Sequence, residues 1–269
     1  MNLKEIISST DRYNFHTHTQ YCDGRATMTQ MARAAVRAGI KHLGFSPHSP
    51  LPFETSCNMT IGSVADYFME IDQIRQEFGD ELNVYRGMEI DYLSPNVGPS
   101  SEFYRKMYLD FSIGSVHFIK NQKGEYVDVD GKFESFKEKM NLYFEGDINY
   151  VVKEFYRASR EMLALGQFDI LGHFDKISQN ASYYKPGIED KPWYRELVNH
   201  YIDEIIASGV IVEINTKARV EHGRFFPNEK YWKRLIDAKV PLMVNSDCHY
   251  PEKIDLSRRE AFELLKSMK

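Results

Sequence analysis

Seven short apolar runs, separated by polar clusters and amphipathic helical patterns, divide this 269-residue chain into units of one kind. The runs are 12–18 (RYNFHTH), 42–48 (HLGFSPH), 82–90 (LNVYRGMEI), 109–119 (LDFSIGSVHFI), 168–175 (FDILGHFD), 210–217 (VIVEINTK) and 240–249 (VPLMVNSDCH). Strands buried on both faces read as continuous apolar runs, and strands that alternate with helices predict a parallel sheet with helical crossovers. One helix is expected at 27–39, where Met28, Met31, Ala35 and Ala38 share a face and Gly39 suits the C-cap. Others are expected at 149–166 and 195–209, each also ending on glycine, and at 257–268.

A closed barrel and an open doubly wound sheet both satisfy this pattern, and the polar residues choose between them. Six of the runs deliver His, Asp or Glu at their C-terminal ends, in FHTH, FSPH, GMEID, GSVH, ILGH and NSDCH. A (β/α) barrel builds its active site at that end of its strands. Six strands converging on one point need a ring more than a flat sheet. The expected fold class is α/β, a TIM-like (β/α)7 barrel with a metal site at the C-terminal ends of the strands. It is expected to be distorted, because only seven units are visible. One domain over 1–269 is expected, a length that buries roughly 75% of the unfolded chain's surface.

The strand-end groups are His16, His18, Asp23, His48, Glu89, His117, His173, Asp247 and His249, which include six of the nine histidines. His16 and His18 are two apart, so on a strand both imidazoles face the same way. One such residue is ordinarily a satisfied polar group. Nine facing inward together would be costly to bury without strong partners, and divalent metals are the natural ones. Imidazole and carboxylate donors suit zinc, manganese or iron.

Taken in order, H-T-H with a following D-G, S-P-H-S, G-M-E, G-S-V-H, L-G-H-F-D and N-S-D-C-H resemble the polymerase and histidinol phosphatase (PHP) family over almost the whole chain. GFSPHSPLPF, DFSIGSVHFI and VEINTKARVEHGRFFP resemble its histidinol-phosphate phosphatase branch. The resemblance implies a trinuclear centre of three divalent ions, zinc first, with manganese or iron as the alternatives. His16, His18, Glu89 and Asp247 would hold the first ion. Glu89 would bridge to a second, held also by His117 and His173. Asp23, His48 and His249 would hold the third. Three divalent ions bring +6 against −3 from Asp23, Glu89 and Asp247, leaving about +3 for an anionic substrate.

The resemblance further implies a metal-dependent phosphomonoesterase that converts L-histidinol phosphate to L-histidinol and phosphate in histidine biosynthesis. A hydroxide bridging two metals would attack phosphorus. Glu89, Asp247 and His249 would hold the hydroxide and the phosphate through the metals. Phosphotyrosine or nucleotides on the same fold are the alternative substrates. An amidohydrolase is a further alternative, since those barrels also open with HxH, but the late D-x-H pair departs from their lone aspartate. A vestigial binding module should have lost ligands, and here all nine positions are filled.

Outside the metal shell, Arg160, Arg195 and Arg219 are candidate substrate contacts, because a guanidinium fork matches phosphate oxygens. Lys176 and His222 join them. Asp175, Asp91 and His222 are alternative proton donors to the leaving alkoxide. Phe53, Tyr92, Phe118 and Phe225 are unranked partners for stacking an imidazole. His42, at the far end of its strand, and His200, within a helix, are expected to be structural or surface groups. The net charge of −5 argues against a nucleic-acid partner. No apolar stretch suggests a signal peptide or membrane span, and Cys22, Cys57 and Cys248 read as reduced thiols, so the cytoplasm is the expected compartment. Cys248 should face away from its ligand neighbours. The expected partner is a small phosphate monoester; oligomeric state is left open.

Overall fold

The computed structural model describes residues 2–268. Ten strands follow in chain order: β1 (Tyr13–Asn14), β2 (His42–Phe45), β3 (Asn83–Arg86), β4 (Glu89–Asp91), β5 (Ile113–Ser115), β6 (Phe118–Lys120), β7 (Tyr126–Asp128), β8 (Ile170–Leu171), β9 (Ile211–Asn215) and β10 (Leu242–Asn245). Eight of them form two parallel sheets, ordered β1-β2-β3 and β10-β9-β8-β5-β4.

Two parallel bridges join these sheets at both edges, His48 to Glu89 and Thr17 to Cys248. The His18 amide donates to the Cys248 carbonyl at 2.9 Å, and the Ser49 amide to the Glu89 carbonyl at 2.8 Å. Strands β3 and β4 are successive halves of one stave. The result is a closed ring of seven staves, which is the expected distorted (β/α)7 TIM-like barrel. The distortion has a visible cause at Gly87, between β3 and β4. A Cβ there would lie 2.1 Å from the Phe111 ring, so only glycine lets that buried ring fill the interior.

The run 109–119 departs from expectation by splitting in two. β5 stays in the ring, while β6 leaves it and pairs antiparallel with β7 as a hairpin. His117 sits at the turning point, and its carbonyl accepts from the Val129 amide at 2.9 Å.

The helices follow the expected pattern closely. The first crossover helix spans Met28–Arg37 and starts with a capping box between Thr27 and Gln30. Met28, Met31 and Ala35 are buried as expected, whereas Ala38 is the exposed C-cap. Helices Ile148–Leu165 and Pro192–Ser208 each stop at a glycine with positive φ, and Arg258–Ser267 closes the described chain. No helix among the described residues is long and apolar enough to cross a membrane.

Inside the ring, Tyr13, Phe15, Phe111, Ile113, Ile170, Ile211 and Met243 form an apolar floor at the N-terminal side. Above that floor the ring interior turns polar, because each stave ends in an imidazole, amide or carboxylate.

Candidate metal centre

The C-terminal ends of six staves bring all nine expected groups together. His16 and His18 leave β1 with both rings fully buried. His16 Nε2 lies 3.1 Å from Glu89 Oε2 and 3.7 Å from Asp247 Oδ1. His18 Nε2 lies 3.5 Å and 3.1 Å from the same two oxygens. The other Glu89 oxygen, Oε1, is 2.9 Å from His173 Nε2 and 3.5 Å from His117 Nε2. Asp23 Oδ1 is 3.1 Å from His249 Nε2 and 3.8 Å from His48 Nε2. Asp247 itself has φ +48, a left-handed backbone that is unusual for a non-glycine residue and marks a constrained position.

Donors sharing one tetrahedral ion at 2.0–2.1 Å stand about 3.4 Å apart, and these spacings scatter around that value. Three potential metal clusters emerge: His18, Asp23, His48 and His249; His16, His18 and Asp247; and His48, Glu89 and His117. They overlap more than the expected four-three-three division, because His48 Nδ1 also lies 3.1 Å from Glu89 Oε2.

The orphaned atoms test whether cations fit. His16 Nε2, His18 Nε2, Asp23 Oδ1, His48 Nδ1 and Glu89 Oε2 are buried and have no hydrogen-bond partner. Buried polar atoms are ordinarily paired. Here donor atoms face one another at ion-sharing distances, so divalent cations fit the residues present. Lys217 shows the same demand: its Nζ reaches 3.2 Å from Asp247 Oδ1 and 3.4 Å from His249 Nε2.

Burial works with the neighbouring charges. Burial, then His249 and His48, hold the His18 imidazole well below its ordinary value, and burial and Lys217 lower His249. Burial and Lys176 lower His173. These rings favour the neutral form that binds metal. Burial alone would raise the Glu89 carboxyl, but His16, His48 and His117 hold it well below the usual carboxylate range. Burial opposes a proton on His16 as well, yet Glu213, Glu89 and Asp247 raise it well above the ordinary imidazole value.

A second layer holds the rings in place. Asp91 Oδ1 accepts from His117 Nδ1 at 2.6 Å, and Asp91 Oδ2 accepts from Asn58 Nδ2 at 2.8 Å. Glu213, in the middle of β9, accepts from His16 Nδ1 at 2.7 Å. Such carboxylate–imidazole pairs fix the ring and leave the other nitrogen free for a metal. Lys176 Nζ lies 3.0 Å from Asp130 Oδ2 and 3.8 Å from Asp247 Oδ2. Burial disfavours its charge, but Asp130, Asp247 and Glu89 together raise its pKa above the ordinary lysine value.

This layer corrects one expectation. Asp91 is not a free proton donor, because both its oxygens are occupied behind His117. Asp175 is fully buried, with Oδ2 accepting from the Asn228 amide at 2.9 Å, so it ties the loop after β8 to residue 228. Burial pushes its carboxyl up to about 7.

The arginines expected at the substrate do not join the cluster. Arg160 is paired with Glu204 through two hydrogen bonds, of 2.6 and 2.8 Å, and Arg195 with Asp190 at 2.6 Å. Arg219 holds Glu260 at 2.5 Å and lies over Phe225. Each helix turns its guanidinium toward a neighbouring carboxylate, a rotation that spacing alone does not fix. His222 is bonded to the Tyr183 hydroxyl at 3.0 Å. Among the described residues, Lys176 and Lys217 place their ammoniums at the cluster.

Among the aromatic candidates, Tyr92 and Phe225 are core residues. Phe53 is 37% exposed and packs on Phe118 and Tyr126. His42 stacks on Tyr85 at the far end of β2, His200 is an exposed helix residue, and Cys248 is buried in the core as expected.

Comparison with known proteins agrees with this geometry. The profile described as PHP domain matches residues 14–217, well over half of the chain. A Deinococcus radiodurans protein named "Probable histidinol-phosphatase" is 25% identical over 258 residues, spanning 94% of this chain and 92% of its own. A Bacillus subtilis protein named histidinol-phosphatase is 26% identical, over 87% of this chain and 92% of its own. The solved structure of Lactococcus lactis histidinol phosphate phosphatase, complexed with Zn, L-histidinol and phosphate, superposes with a TM-score of 0.70 at 20% identity. That alignment covers 96% of this chain and 94% of the Lactococcus chain.

Proposed function

This chain belongs to the PHP domain family, and from that premise we propose that it is a metal-dependent phosphomonoesterase hydrolysing L-histidinol phosphate to L-histidinol and phosphate. The observation that carries the reading is the set of inward-facing donor groups from six staves around the Glu89 carboxylate, five of whose buried atoms have no hydrogen-bond partner. The substrate's name rests on the relatives, two of which are named for this activity and one of which was solved with L-histidinol and phosphate.

Three divalent ions are proposed, with His16, His18, Glu89 and Asp247 holding the first. Glu89, His117 and His173 would hold the second, and Asp23, His48 and His249 the third. Zinc is favoured over manganese or iron because six of the nine donors are imidazoles and because the Lactococcus relative carries Zn. When bound, the ions supply Lewis-acid stabilisation of phosphoryl oxygens and lower the pKa of coordinated water.

The chain's own groups do the rest. Asp91 and Glu213 hold His117 and His16 with one nitrogen aimed inward. Asp130 holds the Lys176 ammonium beside Asp247, and Lys217 approaches from the other oxygen. These two ammoniums would meet the phosphate dianion. Six carboxylates in the two layers, Asp23, Glu89, Asp91, Asp130, Glu213 and Asp247, bring −6. Against +6 from ions and +2 from lysines the loaded site keeps about +2, which suits a dianionic ester. Phe53, partly exposed where it packs on Phe118 next to His117, would offer an apolar wall for the imidazole end of the substrate.

The proposed domain runs over 1–269. Asp247 and His249 lie beyond the matched residues 14–217, yet their stave closes the ring. A cytoplasmic setting is proposed from the free thiols Cys22, Cys57 and Cys248.

The test is steady-state phosphate release from histidinol phosphate, phosphotyrosine, a nucleotide monophosphate and an aryl phosphate, using protein with its metals counted. Histidinol phosphate should lead in kcat/KM by orders of magnitude, with about three ions per chain. Slow and similar rates on all four would keep the hydrolytic site and remove the named substrate.

A further inference from the structure

Glu213 carries more of the centre than any residue outside the nine. It stands in the middle of β9, a strand whose five residues are all buried. Its carboxylate accepts four hydrogen bonds. Oε1 takes His16 Nδ1 at 2.7 Å and Asn245 Nδ2 at 3.0 Å. Oε2 takes the His173 backbone amide at 3.1 Å and Asn215 Nδ2 at 3.2 Å. Asn215 Nδ2 also donates to Asp247 Oδ2 at 3.0 Å. One acid therefore links three groups of the metal centre, from the ends of β1, β8 and β10.

An ionised carboxylate offers about four lone-pair positions and no donor. All four are filled here, each by an N–H. With Nδ1–H given to Glu213, the nitrogen left to give up its proton to a metal is Nε2, which faces Glu89 and Asp247. The tautomer of the neutral His16 ring follows from the acceptor-only character of this one residue.

We propose that Glu213 is the positioning residue of the centre: it imposes on His16 the tautomer that can bind a metal through Nε2 and sets His173 and Asp247 in register with it. This rests on the metal-dependent reading given above. Glutamine at 213 cannot do the same. With its amide nitrogen toward His173 and Asn215, it sets donor against donor twice. With the amide nitrogen toward His16, His16 must accept at Nδ1 and carry its proton at Nε2, where a metal would bind.

The second orientation can be made comfortable by design. Asn245 uses Oδ1 to accept from the Phe15 amide at 2.9 Å and Nδ2 to donate to Glu213. In the double variant E213Q/N245D, the new carboxylate accepts from the glutamine amide while still holding Phe15. Every polar group is paired and the net charge is unchanged, but the His16 tautomer is inverted.

The experiment measures zinc bound per chain, zinc affinity by chelator competition and thermal melting for wild type, E213Q and E213Q/N245D. The double variant should melt close to the metal-free wild type yet bind one zinc 10- to 100-fold more weakly, the usual scale for losing an orienting partner. E213Q alone should lose both melting temperature and that zinc. A double variant with wild-type zinc affinity overturns the proposal, since Glu213 would then serve the fold alone. A double variant that does not fold also overturns it, because the hydrogen-bond count behind it would be wrong. A wild type that binds no zinc, manganese or iron sinks the metal-dependent reading itself.

Discussion

Stripping the divalent ions with a chelator should lower the melting temperature by about 10 °C. Five buried atoms of the centre have no protein partner: His16 Nε2, His18 Nε2, Asp23 Oδ1, His48 Nδ1 and Glu89 Oε2. A buried polar atom left unpaired costs about 1–3 kcal/mol. Water entering the stripped site offsets part of that cost, so the low end applies, about 1 kcal/mol each and about 5 kcal/mol in all. For a chain of this length 1 kcal/mol moves the midpoint by about 2 °C. Ion binding considered directly gives a similar scale, since one ion at a thousand times its Kd adds about 4 kcal/mol. The assay is calorimetry on the protein as purified, after chelation and after zinc is returned, with metals counted at each stage. Ions lost by count while the midpoint moves by less than about 2 °C would refute the reasoning, because the orphaned donors would then be satisfied without them.

Glu89→Gln should reduce bound metal and activity more than Asp23→Asn. The Glu89 carboxylate lies within 3.5 Å of five imidazole nitrogens, whereas Asp23 is 27% exposed and contacts one rim of the cluster. Equal losses, or a loss only at Asp23, would count against a bridging role. Asp175→Asn should flatten the dependence of stability on pH. Burial lifts the Asp175 carboxyl to about 7, above its unfolded value, so folding favours the protonated form. Its contribution is full below the unfolded pKa of about 4 and is lost as pH rises to about 7. Between pH 5 and 8 the variant should gain about 3 kcal/mol on the wild type, several degrees by melting; parallel curves would show that Asp175 does not ionise in this range.

The strands were legible because a parallel stave buried on both faces must be apolar along its length, and all seven runs supply one. The nine donors were legible because polar groups at the ends of such runs have few other uses. The break at Gly87 was hidden, since it depends on where the Phe111 ring lands across the barrel. Glu213 was missed although its signal was present: one acid inside the otherwise apolar run VIVEI needs partners wherever it is buried. Asp91, two residues after Glu89, is one of three alternative proton donors by sequence; only the position of His117 shows which way it is engaged. The partners of the three arginines were hidden for a different reason. A surface arginine on a helix chooses among nearby carboxylates by rotation of the helix and reach of the stem, and neither is written in spacing.

The bridge from Thr17 to Cys248 has a consequence for how the molecule is made. His16 and His18 emerge early in synthesis, while Asp247 and His249 emerge last of the nine. At ribosomal speeds of about 5–20 residues per second, roughly 10 to 50 seconds separate the two ends of the proposed coordination shell. Until the last stave is made, the nascent chain carries five of the six imidazoles without Asp247 and His249. On the proposed metal-dependent reading, the centre can be loaded in full only after that last stave has docked.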